Sequence, residues 1–328
     1  MYPSEKSPTQ GTFVKSQIES LKKYIEIDLL LLPGFGGVLP YIKFIPQIRK
    51  ALKKRSYDIV HVHYGNAASL VKLLNYTRVP VITSYCGDDL LGTITSKGTY
   101  SFKSVIFKHI NKFFARFDKH SIVKSENLAA QINRCFPSII PNGVDTSKFT
   151  PLDQNKCKSQ LGIPTNQKLI LFPAEKNNAV KNFPLLENAL KEIPSNQYNL
   201  LYFKERVMPD MMPIYLNAAD LVVCTSINEG SPNVIKEAMS CNKMIFSTPC
   251  GDVPSLLDGA TGSKILNYES QSWTSALKQF LNENQNNIQI NSRTKLIEKK
   301  LDNDSVAKNI VSIYYDVIGK PIADLGFI

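Results

Sequence analysis

Three features of the sequence predict an α/β chain of two parallel-sheet domains. Its 328 residues suffice for two ordinary domains with separate cores. Short runs rich in Val, Ile and Leu alternate with longer segments of helical period, the pattern of parallel strands buried on both faces. The series of runs halts once, at a stretch carrying an Asn-Gly step and two prolines, and restarts near Lys168.

In chain order, the first domain's strands are read at "IEIDLLLL", "DIVHVHY", "VPVITSY", "SIVKS" and "PSIIP". The break is "PNGVDTSKFTPLD", and the second domain's strands follow at "KLILFP", "YNLLYF", "ADLVVCTS" and "KMIFSTP". Each is too short for a helix and too apolar for an exposed loop. The segment "PNVIKEAM" reads as a helix with Pro232 in its first turn, where the missing N–H costs nothing. Near the end, "DNDSVAKNIVSIYYDVIG" carries Asp and Ser caps, apolar residues at helical spacing, then Gly319 and Pro321 as stops. The expected organisation is an N-terminal domain over 1–150, a C-terminal domain over 151–302, and a helix and tail over 303–328 that packs back on the N-terminal domain. "NENQNNIQIN", 282–291, reads as a solvated turn, and "GFGG" at 34–37 as a turn rather than a dinucleotide loop.

A hydrophobic content of 43% with 20% charged residues excludes collagenous and wholly disordered chains. The net charge of +11 is unevenly spread: residues 1–150 hold 21 Lys+Arg against 10 Asp+Glu, and residues 151–328 hold 18 against 18. The N-terminal half is therefore expected to meet something anionic. No zinc finger or RNP-type strand is present, which argues against nucleic acid as that partner. Two segments there, "YIKFIPQIRKALKKR" and "SFKSVIFKHINKFFARFDK", place apolar residues at near-helical spacing beside many cations. Tyr41, Ile45, Ile48 and Leu52 in one, and Phe102, Ile106, Ile110, Phe113 and Phe117 in the other, suit either a core face or an anionic membrane surface. The start "MYPSEKSPTQ" lacks the order of a signal peptide. "LLLLPGFGGVLPYI" is too short and too broken to span a bilayer. The six cysteines form no CxxC pair. A reduced, cytoplasmic chain, peripheral on the inner membrane face, is the expectation.

The most informative stretch is "INEGSPNVIKEAM", 227–239. A strand end delivers Glu229, a Gly-Ser-Pro-Asn turn follows, and Glu237 lies about one and a half turns into the next helix. Backbone donors of Ser231, Asn233 and Val234 are expected to face the crevice at the strand ends. A carboxylate accepts from two neighbouring hydroxyls, so Glu237 suits a ribose diol and Glu229 a sugar. Spacing alone leaves open that both are acids favoured by the helix dipole and otherwise solvated.

This stretch resembles the E-x7-E motif of the retaining glycosyltransferases of family 4, whose fold, GT-B, has two Rossmann-like domains facing each other across a cleft. Other stretches resemble the family in order. "MYPSEKSPTQGTFVKSQIESL" is similar to its glycine loop and helix, "YDIVHVHYG" to a strand end, and "VPVITSYCGDDLLG" to its His-Gly-x-Asp loop. "IIPNGVDTSKFTP" is similar to its interdomain segment and "LFPAEKNNAVKNFPLLENAL" to its phosphate loop. The resemblance implies an apolar strand before the glycine loop, a central one, which this chain is expected to lack.

The resemblance further implies a donor site of Gly230, Ser231, Pro232, Asn233, Val234 and Glu237, with Glu229 near the donor sugar and Lys176 and Lys181 on the diphosphate. Lysine at 176 keeps the charge of the family's arginine but not its bidentate fork. On the acceptor side it implies Gly11, Thr12, His63, Cys86, Gly87 and Asp89, with Cys86 where many relatives have histidine. A small loop residue is the preferred reading of Cys86, and Asp89 the better candidate to touch sugar. Metal binding by His61 and His63 lacks further ligands. The implied reaction is transfer of a sugar from a nucleoside diphosphate donor to a hydroxyl acceptor, a lipid-linked or cell-surface glycan precursor, with no metal or other cofactor. The rival readings are a nucleotide-sugar epimerase or hydrolase of the same fold and, more remotely, a nucleic-acid binder.

Overall fold

The computed structural model describes residues 2–3, 11–32, 39–54, 56–95, 99–205, 207–283 and 288–320. The "GFGG" turn and the middle of "NENQNNIQIN" lie outside them. Two units emerge: Met1–Thr93 with Tyr100–Asn142 and Asp304–Ile328, and Ile94–Thr99 with Gly143–Asn303. The division falls after Asn142 rather than Thr150, because Val144 and Phe149 are buried in the second unit's core.

The first unit contains α1 (Thr12–Leu21), α2 (Leu39–Lys54), β1 (Val60–His63), α3 (Gly65–Leu74), β2 (Val81–Ser84), α4 (Asp88–Leu91), α5 (Phe102–Phe114), β3 (His120–Val123), α6 (Glu126–Ala129) and β4 (Ser138–Ile139). Its strands are parallel and ordered β1-β2-β3-β4, with Val60 opposite Val81, Ile82 opposite His120 and Ile122 opposite Ser138. The stripe of α2 turns inward: Phe44, Ile48 and Leu52 are buried together. Helix α3 lies close on α5, because Gly65 leaves room for Asn111, whose Cγ would stand 2.8 Å from an added Cβ. The expected strand "IEIDLLLL" is not one. Described residues 26–32 have no regular structure, and Leu29, Leu30 and Leu31 are exposed. A strand needs a ladder, and among the described strands β1 pairs only with β2.

The second unit contains α7 (Gln154–Gln160), β5 (Lys168–Glu175), α8 (Phe183–Leu190), β6 (Tyr198–Phe203), α9 (Met212–Ala218), β7 (Leu221–Cys224), α10 (Asn233–Ser240), β8 (Ile245–Ser247), α11 (Val253–Leu257), β9 (Lys264–Ile265), α12 (Ser270–Asn282) and α13 (Ser292–Glu298). The strands are again parallel, in the order β6-β5-β7-β8-β9. Alternate residues of β5 serve opposite layers. Ile170 and Phe172 pack with Phe183, Leu186, Trp273 and Leu277, and Leu171 packs with Leu216, Ile235, Met239 and Val253. Burial on both faces explains why these strands read as unbroken apolar runs, and each large side chain contributes roughly 1.5–3 kcal/mol.

The last helix, α14 (Asn303–Ile318), belongs to the first unit from Asp304 onward. Its Val306, Ile310, Val311 and Tyr314 share a core with Leu21, Ile82 and Ile122. Gly319, at φ 70, adopts the left-handed conformation that ends it.

Candidate active site

In the second unit β5 comes first in the chain but sits between β6 and β7. The connections from β5 and β7 therefore leave in opposite directions, and a crevice opens between their carboxyl ends, the usual ligand position in such sheets. Lys181 follows β5 and Glu229 follows β7, so both are delivered to this point. The loops are stitched together: Ile227 N donates to Val180 O at 2.9 Å, and Thr225 Oγ1 to Lys181 O at 2.8 Å and Asn182 O at 2.9 Å. Thr248 Oγ1, beyond β8, donates to Ser226 O at 2.6 Å.

Lys181 Nζ stands 2.5 Å from Glu229 Oε1, with the two side chains 28% and 21% exposed. Burial alone would depress this ammonium, but the Glu229 carboxylate and the Cys224 sulfur outweigh it and hold its pKa above the ordinary lysine value. Lys181 is thus cationic at neutral pH. A small hollow beside it is lined by Phe172, Ala174, Cys224, Ser226 and Val234. Cys224 accepts a hydrogen bond from Cys250 and faces the Lys181 charge, which makes it the more acidic of the two thiols.

Pro232 is the N-cap of α10, one residue before the helix starts, and Asn233 and Val234 form its first turn. A helix cannot satisfy the amides of its own first turn. Gly230 is buried and Ser231 partly so. Glu237 is partly buried farther along α10, where burial pushes its carboxyl up to about 7 against the opposing charges of Lys236, Lys148 and Lys181. Lys181 and Val234 line the same hollow, Glu229 is paired with Lys181, and Glu237 lies three residues beyond Val234 on α10.

Lys176 is not joined to them by any contact among the described residues. Its Nζ meets Glu187 Oε1 at 2.7 Å, above the rings of Phe183 and Tyr202, with the side chain 43% exposed. Spacing five residues from Lys181 does not make the side chains converge, because the 3-10 turn Ala179–Lys181 intervenes.

Two residues escaped sequence reasoning. Lys236 is fully buried and donates to Ser231 Oγ at 2.7 Å, so an ammonium lies beneath the turn. A lysine inside a helix ordinarily reads as solvated. Gly251, at φ +57, lets the loop after β8 press on the Glu229–Gly230 backbone, where an added Cβ would meet Gly230 O at 2.4 Å and Glu229 O at 2.8 Å. Its signal was a Gly after Cys250 in a strand-to-helix turn.

In the first unit, His63, Cys86 and Lys124 lie at or beyond the carboxyl ends of β1, β2 and β3. The His61 and His63 rings stack at 4.8 Å. His61 is tied to Tyr314 Oη at 2.5 Å and Ser84 Oγ at 2.8 Å. His63 Nδ1 is buried with no partner among the described residues, and burial, with His61 and Lys124 nearby, drives its pKa well below the ordinary value. Cys86 is pushed up to about 12 by burial and Asp89, so it is a neutral thiol. Gly11, at φ 65, is the N-cap of α1, and Thr12 begins the helix.

Asp89 departs from its expected role. Its carboxylate accepts from Gly65 N at 2.9 Å, Cys86 N at 3.1 Å and Gly87 N at 2.9 Å, so it is turned inward to hold its own loop. Gly87 supplies the unusual φ of 147 that lets the loop wrap it. Among the described residues no three His, Cys, Asp or Glu gather as a metal site would require.

Comparison with known proteins bears on the family and the fold. The family model "Glycosyltransferase Family 4" matches residues 8–148, and "Glycosyl transferases group 1" matches 181–283. The putative teichuronic acid biosynthesis glycosyltransferase TuaC of Bacillus subtilis is 22% identical over 78% of this chain and 81% of its own. A UDP-Gal:alpha-D-GlcNAc-diphosphoundecaprenol alpha-1,3-galactosyltransferase of Escherichia coli is 25% identical over 61% of this chain and 59% of its own. Among solved structures, sucrose-phosphate synthase from Thermosynechococcus elongatus superposes with a TM-score of 0.72 at 14% identity, covering 97% of this chain and 96% of that one. Anabaena HepE in complex with UDP superposes at 0.66 and 19% identity, covering 85% and 82%. The chain belongs to the family 4 glycosyltransferases of GT-B fold, enzymes that move a sugar from a nucleotide-sugar donor.

Proposed function

We propose that this enzyme transfers a hexose, with retention at the anomeric carbon, from a uridine diphosphate sugar to a hydroxyl of a lipid-linked or cell-surface glycan precursor. One observation carries the reading: a cationic Lys181 paired with Glu229 at the point where strand order reverses, with Glu237 on the helix that follows the Glu229 turn. In this reading Glu237 accepts from the ribose hydroxyls and Glu229 from the donor sugar. The turn of Gly230, Ser231, Pro232, Asn233 and Val234 lines the sugar and phosphates, with its amides as donors. As the glycosidic bond breaks, charge grows on the leaving diphosphate, and Lys181 exchanges Glu229 for it. Lys176 must leave Glu187 to assist and is the secondary cation. The leaving diphosphate takes the acceptor's proton on the same face, without a metal or other cofactor.

The acceptor falls to the first unit, with Gly11, Thr12, His63, Cys86 and Gly87 as contacts and Asp89 as their support. The UDP held by HepE supports the donor. The diphosphoundecaprenol acceptor named for the Escherichia coli relative supports a lipid carrier. Such an acceptor places the enzyme at an anionic membrane, which suits the excess of cations over residues 1–150. The test is a panel of nucleotide sugars with a polyprenyl-diphosphate glycan, followed by NMR of the product. The expected result is nucleoside diphosphate release with a new glycosidic bond of the donor's anomeric configuration. Free sugar, an epimerised nucleotide sugar or an inverted linkage overturns the reading.

A further inference from the structure

We propose that the C-terminal end of α5 forms a lipid-docking site, in which a basic recess seats the phosphate headgroup of an anionic phospholipid and a neighbouring aromatic stripe enters the bilayer. The inference deepens the membrane contact proposed above and rests on it. It begins with a helix whose apolar face is outward. Phe102, Ile106, Ile110, Phe113 and Phe117 fall on one stripe at intervals of three or four residues, and are 80%, 46%, 38%, 51% and 60% exposed. The one fully buried residue of α5 is polar: Asn111 donates to Asn66 Oδ1 at 2.7 Å and Asp89 O at 2.9 Å, while Val105, Phe107 and Phe114 are only partly buried. So large an exposed apolar stripe beside that polar anchor is the kind of surface an interaction partner covers. The stripe of α2, which is buried, shows the contrast.

The stripe ends in a cluster of rings. Phe113 lies 5.5 Å from Phe114 and 5.6 Å from Phe117, with the Arg116 guanidinium 5.8 Å over Phe113. Beside it opens a recess of about 490 Å³, walled by Phe114 and Phe117 and edged by Arg78, Arg116 and Lys119. None of these three cations has an acidic partner among the described residues. Asp118 does not neutralise them. It pairs with Lys72 at 2.5 Å and takes hydrogen bonds from Thr83, Tyr85 and Ser121. The recess lies where β2 begins, at Val81, the opposite end of that strand from Cys86 and Gly87. It is therefore separate from the candidate acceptor residues.

Charge selects the occupant. Residues 102–117 contain no acid, so a bilayer with anionic headgroups above an apolar interior matches both the recess and the stripe. Each cation near such a surface is worth roughly a five-fold change in partitioning, and three together about 100-fold.

The experiment uses the full chain and co-sedimentation with phosphatidylcholine vesicles, with and without phosphatidylglycerol. Wild type is expected to bind only the anionic vesicles. Arg78→Gln/Arg116→Gln/Lys119→Gln should weaken binding about 100-fold, and Phe113→Ser/Phe117→Ser should abolish it. Arg78→Lys/Arg116→Lys, which keeps the charge, should bind nearly as wild type. UDP affinity by calorimetry should be unchanged in every variant, which separates loss of docking from loss of fold or donor site. Wild type that ignores anionic vesicles overturns the membrane contact and this site together. Wild type that binds, with the triple glutamine variant binding equally, overturns the recess and leaves the membrane contact standing. Inorganic phosphate alone raising the melting temperature of wild type but not of the triple variant, without vesicle binding, marks a free-anion site and overturns the lipid. Concentration-dependent dimerisation abolished by the Phe113 and Phe117 changes assigns the stripe to a second copy and also overturns it.

Discussion

Replacing Lys181 with alanine removes the ammonium 2.5 Å from Glu229 and leaves that carboxylate, 21% exposed, at the proposed diphosphate position. Two costs follow. A unit charge about 4 Å from the growing diphosphate charge is worth about 4 kcal/mol at an effective dielectric of about 20. This agrees with the 10²–10³-fold loss of turnover typical when one preorganised donor to a transition state is deleted, about 2.7–4 kcal/mol. The freed Glu229 also repels the diphosphate in ground and transition states alike. Lys181→Ala should thus lower kcat by about 10²–10³-fold and donor affinity by only about ten-fold, since a charge-assisted hydrogen bond nets about 1.5–3 kcal/mol before the competing Glu229 pair is subtracted. Steady-state nucleoside diphosphate release gives the first number and calorimetry with UDP the second. The double variant Lys181→Ala/Glu229→Gln should bind UDP more tightly than Lys181→Ala alone, because the repulsion is gone. Equal losses in kcat and affinity, or no rescue by Glu229→Gln, would mean that Lys181 does not act on the departing diphosphate.

Other consequences are smaller but equally specific. Lys176→Ala should change kcat by less than about ten-fold, because its ammonium is held by Glu187 on an exposed face; a loss matching Lys181→Ala in the same assay would reverse the ranking of the two lysines. Glu237, held at about 7 against an ordinary 4.5, binds its proton more tightly folded than unfolded, so its contribution to stability is full below about 4.5 and is lost as pH rises toward about 7. Glu237→Gln should flatten that part of the stability profile, whose span is on the order of 3.4 kcal/mol at 1.36 per unit, and parallel profiles would contradict the shift. Gly251→Ala forces a Cβ against Gly230 O and should cost about 1–3 kcal/mol in urea unfolding. Asp89→Asn, which cannot serve three amides as a carboxylate does, should likewise lose about 1–3 kcal/mol of stability; an unchanged urea midpoint with a raised acceptor KM would restore it to substrate contact.

Strands buried on both faces betray themselves in sequence, and β2, β3, β5, β7 and β8 were legible for that reason, while the less buried β1, β4 and β6 were legible from their β-branched and aromatic runs. Residues 26–32 misled because apolar content does not reveal whether a ladder is available. The two-residue β9 lacks the run of apolar residues between prolines that marked the equally short β4. At the site, the order of Glu229, the Gly-Ser-Pro-Asn turn and Glu237 was readable, because a strand end, a turn and a helix start occur there in immediate succession. The position of Lys176 was not, since spacing fixes charge along the chain but not the direction of a flexible side chain across a 3-10 turn. Lys236 stayed hidden because its burial arises from the turn folding over it. The role of Asp89 depended on whether three amides point at it, which only the backbone decides.

If the loops after β5 and β7 hold the diphosphate and ribose of the donor, a crystal structure of the enzyme soaked with UDP should show Lys181 Nζ released from Glu229 and hydrogen-bonded to a phosphate oxygen. The first amides of α10 should face the diphosphate, and both ribose hydroxyls should lie on Glu237. UDP bound elsewhere, with Lys181 still on Glu229, rules this site out.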